Sequence, residues 1–132
     1  MIRVTVWNEF QHERTQEKVK EIYPDGIHTC IAKFLGQEEE LSVRTAVFDE
    51  KEHGLTEEVL VFWNHMLQEE FSDDVAERVR RHVLAGMGLV VLHSGHYSKI
   101  MRKLLGTSMT LRWRHGDRER LFCTCPTHPI AQ

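Results

Sequence analysis

Nine histidines in 132 residues are the most chemically suggestive feature of the sequence. Four of them stand just after stretches that read as β-strands: His12 beyond Ile2–Val6, His65 beyond Leu60–Trp63, and His93 and His96 beyond Leu89–Leu92. In a parallel sheet the C-terminal strand ends gather on one rim, so these imidazoles are expected to converge. A neutral imidazole ligates metals and also exchanges protons near neutral pH. With Glu9 close by, the set suits two chemistries. One is a zinc or other divalent site held by His12, His65 and His93; the other is acid–base catalysis by His93, His96 and Glu9. Any single loop histidine is more often a surface or hydrogen-bonding residue, so the reading rests on the four together. Cys123, Cys125 and His128 also lie close in sequence, but two thiols and one imidazole fall short of a four-ligand zinc set, and packing is the expected role. Lys99, Arg102 and Lys103 read as the charged outer face of a helix.

The elements that must position these side chains follow from hydrophobic spacing. Ile2, Val4 and Val6 alternate with polar residues as a strand that runs into a polar loop, Asn8 to His12. From Gly26 to Leu35 the residues Ile27, Cys30, Ile31, Phe34 and Leu35 recur at helical spacing, and Gly36 is placed to form a left-handed cap. Leu41, Val43, Thr45 and Val47 keep a period of two, which predicts a second strand. Ser72 is a good N-cap for a helix carrying Val75, Val79 and Val83 on one face, with Asp73 and Asp74 at its positive end and Gly86 closing it. Leu89-Val90-Val91-Leu92 is an unbroken apolar run that suits a central strand covered on both faces. His93-Ser94-Gly95-His96 is then a tight turn before a helix bearing Ile100, Met101, Leu104 and Leu105. Met109, Leu111 and Trp113, and then Leu121-Phe122-Cys123, suggest a hairpin turning through His115-Gly116-Asp117.

Alternating strands and helices predict an α/β fold: a three-layer, doubly wound, mostly parallel sheet forming a single domain over residues 1–132. The net charge of -3 is spread along the chain without a basic stripe, so nucleic acid is not an expected partner. No apolar run approaches the length needed to cross a bilayer, and no signal-peptide pattern opens the chain. A cytoplasmic protein that does not engage membranes is expected.

Several segments resemble the ThuA-like trehalose-utilisation family: Val6-Trp7-Asn8-Glu9-Phe10 with His12, Ile22-Tyr23-Pro24-Asp25-Gly26-Ile27-His28, and His53-Gly54-Leu55-Thr56-Glu57-Glu58. The strongest stretch is Val83-Leu84-Ala85-Gly86-Met87-Gly88-Leu89-Val90-Val91-Leu92-His93-Ser94-Gly95-His96, followed by Ser98-Lys99-Ile100, Gly106-Thr107-Ser108 and His128-Pro129-Ile130. The resemblance implies a flavodoxin-like fold related to class I glutamine amidotransferases. In those enzymes a nucleophilic cysteine occupies the sharp turn that His93 occupies here. Without a thiolate at that position, glutamine hydrolysis is rejected. What remains implied is catabolism of trehalose or a related disaccharide, acting on a sugar or keto-sugar through the histidine-lined rim. Asn8, His12, Trp63 and Ser94 are the expected substrate contacts, Trp63 because an aromatic face complements the C–H face of a pyranose.

The chain departs from the family pattern in two places. Near residue 60, Leu60 runs directly into Val61-Phe62-Trp63-Asn64-His65, which suggests a shortened strand, and Asn64 and Gln68 replace a glycine and a histidine. The family also continues beyond the His-Pro-Ile segment, so a truncated form is expected. The alternatives to an enzyme are therefore a degenerate, non-catalytic domain, or a scaffold whose exposed sheet edge pairs with another copy as a homo-oligomer.

Overall fold

A computed structural model describes residues 1–55, 59–112, 115, 116, 118 and 120–131, with the backbone alone at Val59 and Ser94. Its centre is a four-stranded, all-parallel sheet built from β1 (Ile2–Asn8), β2 (Leu41–Val47), β3 (Val59–Trp63) and β4 (Leu89–Val91), in the order β2-β1-β3-β4. Five helices accompany it: α1 (His12–Thr15), α2 (Glu17–Ile22), α3 (Ile27–Leu35), α4 (Asp73–Leu84) and α5 (Lys99–Leu105). The α/β, flavodoxin-like expectation therefore holds.

The strand pleat sorts the core into two layers. Val4, Val6 and Val61 point to one face, where Ile31, Ala32 and Leu35 of α3 cover them. Trp7, Leu60 and Phe62, out of phase with that set, point to the other face and meet Val75, Ala76 and Val79 of α4 and Ile100 of α5. The second layer is aromatic. Trp7 stacks on Phe62 with centroids 4.8 Å apart, and Phe71 packs edge-on against both rings. Trp7 donates its indole N–H to the carbonyl of His53 at 2.8 Å, which satisfies the one polar atom of a side chain only 1% exposed. His53 in turn lies between the rings of Phe48 and Phe71, and its Nε2 accepts from the backbone N–H of Ser72 at 3.1 Å. Ser72 caps α4 as expected, its hydroxyl accepting from the Val75 N–H.

Three expectations need correction. The strand at Leu89–Val91 is not central: it pairs with β3 alone and forms the sheet edge among the described residues, with Val90 half-exposed. Gly36 takes right-handed angles (φ -69, ψ -2), so α3 does not end in a left-handed cap. The expected hairpin is absent among the described residues from 107 onward, where the one regular piece is a short 3-10 turn, Pro129–Ala131; Trp113 and Asp117 of that expectation lie outside the described residues. Near residue 60, the strand read as shortened has five residues against seven in β1 and in β2, and each pairs with a residue of β1 from Val4 to Asn8. Thr56, Glu57 and Glu58, part of the segment compared there, lie outside the described residues. Among the described residues, no helix is long and apolar enough to cross a membrane.

Candidate functional site

The loops that leave β1, β3 and β4 meet at the C-terminal rim of the sheet, and Glu9 organises them. Its carboxylate is 1% exposed and accepts four hydrogen bonds from the loop after β3. These come from Asn64 Nδ2 at 2.8 Å and from the successive backbone N–H groups of His65 (2.9 Å), Met66 (2.6 Å) and Leu67 (2.9 Å). Consecutive N–H groups turned toward one anion form a nest, and the buried charge is stabilised by them rather than by a cation. The expected catalytic Glu9 is thus engaged as the anchor of the loop that presents His65. Asn64, where the family has glycine, supplies one of the four donors. Gln68, where the family has histidine, donates to the carbonyls of Asn64 (3.1 Å) and His96 (2.7 Å) and so ties the β3 loop to the β4 turn.

The structure brings together all four rim histidines. The His12 and His65 rings stack with centroids 5.3 Å apart, His65 and His96 stand 6.1 Å apart, and His96 and His93 stand 6.1 Å apart. His12 also lies 3.9 Å from the Glu9 carboxylate. His96 is fixed by its Nδ1, which meets the His93 carbonyl at 3.1 Å. Although His65 is largely exposed, its partial desolvation at the rim, followed by the neighbouring His12, lowers its imidazole below the ordinary value of 6.5, which favours the neutral ring. Of the expected ligand set His12, His65 and His93, the first two stack their rings. Among the described residues, no group of three or more His, Cys, Asp or Glu is placed to hold a metal ion.

The β4 turn needs a glycine at its centre. A Cβ on Gly95 would lie 2.4 Å from Val91 Cγ1, so the 3-10 turn His93–Gly95 can fold back on β4 only without a side chain there. Two rim residues, Phe10 and Tyr97, hold left-handed angles (φ 54 and φ 61) that are uncommon for side-chain-bearing residues. Local strain of this kind concentrates at functional loops. At Phe10 it is supported by its N–H donating to Asn8 Oδ1 at 3.1 Å.

Beside the histidines lies a cavity of about 330 Å³ lined by His12, Glu13, Val19, Tyr23, Ile27, Trp63 and His65. This falls at the small end of the range for ligand pockets, roughly 300–1,000 Å³. Of the expected substrate contacts, His12 and Trp63 are in its wall. Asn8 is 1% exposed and outside the wall; it gives its amide to Oε1 of the wall residue Glu13 (2.7 Å) and to His28 Nδ1 (3.2 Å). The Ser94 side chain lies outside the described residues. Trp7 is core, as the commoner fate of such tryptophans suggests. Glu13, Tyr23 and Ile27 were not among the expected site residues. Tyr23 and Ile27 fall in a quoted family segment, but Glu13 sits on α1, a four-residue helix with no apolar periodicity to reveal it.

A doubly wound parallel α/β protein, with a cavity beside four histidines at the C-terminal rim of its strands, is the class these observations define. Residues 3–132 match the family model described as ThuA, trehalose utilisation, and the chain belongs to that family. No curated protein matches the chain.

Proposed function

We propose that this protein acts on trehalose, a related disaccharide or its keto derivative in the rim cavity, with His65 as proton acceptor and His96 and His93 as the neighbouring acid–base groups. The observation that carries this reading is the juxtaposition of a sugar-sized mixed cavity with a chain of four imidazoles, two of which, His12 and His65, stand in its wall. Membership in a trehalose-utilisation family supports the substrate class. Trp63 offers an aromatic face to a pyranose, while His12 and Tyr23 offer polar contacts. Beside a ketone the C–H bond is acidified, and a neutral His65 can take that proton while a neighbouring imidazolium protonates the carbonyl oxygen, so charge and proton count balance.

Incubating the protein with trehalose, maltose, sucrose and their keto derivatives, with products followed by NMR, tests this. Turnover of one of them that drops about 10²-fold or more in His65→Ala is expected, the usual scale for removing a general base. Equal turnover in the variant would remove His65 from the chemistry. A binding-only domain is the second reading, favoured by the solvent exposure of His65 and His93. Saturable sugar binding without turnover in the wild type would select it.

A further inference from the structure

We infer that Glu13 is the carboxylate that receives the ligand in this cavity, accepting hydroxyl hydrogens of a neutral polyhydroxylated ring through its second oxygen. The inference rests on the cavity being the sugar site proposed above. The two buried glutamates of the rim are in opposite states. Glu9 has four donors distributed over both oxygens. Glu13 is also buried, at 5% exposure, yet both of its donors go to one oxygen: Asn8 Nδ2 at 2.7 Å and the Ile27 N–H at 3.0 Å meet Oε1. Among the described residues, Oε2 has no hydrogen bond, while Glu13 stands in the cavity wall.

An ionised carboxyl can accept about four hydrogen bonds, and Oε2, which is not among the buried partnerless side-chain atoms, meets solvent in the free protein. A ligand hydroxyl entering the cavity takes the solvent's place at this oxygen. The carboxylate is also pre-aimed. Asn8 is held by three contacts: to Glu13, to His28, and through Oδ1 to the Phe10 N–H. Ile27 opens α3, so its N–H has no partner within the helix and is free to hold Oε1. Fixing the acceptor before the ligand arrives lowers the ordering cost of binding. The rest of the wall fits the same ligand class, since Val19, Ile27 and Trp63 suit the C–H face of a ring while His12, Tyr23 and His65 suit its hydroxyl edge.

Titrations of the full chain with trehalose, maltose, sucrose and glucose, followed by tryptophan fluorescence, compare the wild type with Glu13→Gln. Glutamine keeps an oxygen for Asn8 and Ile27 but replaces Oε2 by a donor. A loss of affinity of at least tenfold is expected, with the melting temperature unchanged. A second measurement needs no variant. Sugar should move the Ile27 amide resonance of the wild type, which reports on the carboxylate, further than that of Val19. The Val19 side chain lines the same cavity, but its amide donates to the Gln16 carbonyl. Sugar binding that Glu13→Gln leaves within twofold, or an Ile27 amide that moves no more than that of Val19 at saturation, would overturn the assignment and leave the sugar site standing. No binding of any of the four sugars by the wild type would overturn the sugar reading, and this assignment with it.

Discussion

Glu9 shows how one side chain shapes a site through the loop it gathers. Its position two residues beyond Trp7, at the end of β1, lets it reach sideways to the loop of the neighbouring strand, where three successive N–H groups and an amide converge on it. A carboxylate with four donors is acceptor-only, which is the one protonation state that satisfies them all. Glu9→Gln puts an N–H₂ where only acceptors are tolerated. The loss of charge-assisted bonds should lower stability by about 2–3 kcal/mol in urea unfolding. Because His65 belongs to the loop Glu9 gathers, the variant should also weaken sugar binding. A variant as stable as the wild type would show that the loop holds its shape without the charge. Glu13 is the complement, a carboxylate with one oxygen anchored and the other left for a ligand.

At the scale of elements, the β4 turn is the tightest device at the rim. Replacing Gly95 by alanine drives a methyl group into Val91, and overpacking of this kind costs about 1–3 kcal/mol. Val91→Ala in the same chain should recover part of that loss, because it removes the clashing atom; a double-mutant cycle in urea measures the coupling. Simple additivity would mean that the turn relaxes elsewhere. The elements that could be read from sequence are those marked by regular apolar spacing or by local turn and cap chemistry: β1, β2, α4 with its Ser72 cap, and the turn after β4. Elements set by tertiary context were less legible. In α3 the apolar positions Cys30 and Phe34 face outward, Phe34 at 69% exposure, whereas Ala32 packs inward, so the stripe is rotated from the one the apolar residues mark. The uninterrupted run at β4 suggested burial on both faces, but only one face is covered by helices α4 and α5. Helices α1 and α2 left no signal, since α2 buries nothing and α1 buries only Glu13. That is why four rim histidines could be anticipated while the carboxylate facing their cavity could not.

At the scale of the whole molecule, the site leaves its mark on how stability depends on pH. His28, on the first turn of α3, is 7% exposed and packs edge-on against Phe10. Its Nδ1 receives the Asn8 amide, which requires a neutral ring with that nitrogen unprotonated. Burial lowers its pKa below the ordinary 6.5, against an opposing pull from Glu13 and with smaller contributions from Arg14 and Glu50. His65 is shifted in the same direction. A group whose folded pKa lies below its unfolded value binds its proton first in the unfolded chain. Stability is therefore unaffected by these two groups above about pH 6.5 and falls as pH drops from there through their folded values. Asp73 acts in a separate window. Its hydrogen bond and charge pairing with Lys99 hold its carboxyl below 3.8, so its contribution is lost only as pH falls through that lower range. Urea unfolding at pH 7.5 and 5.5 should accordingly show a less stable protein at 5.5, and His28→Gln, which cannot take up a proton, should narrow the difference. An unchanged pH dependence in the variant would mean that His28 does not couple the fold to protons, and the loss would then have to come from His65 and the rim.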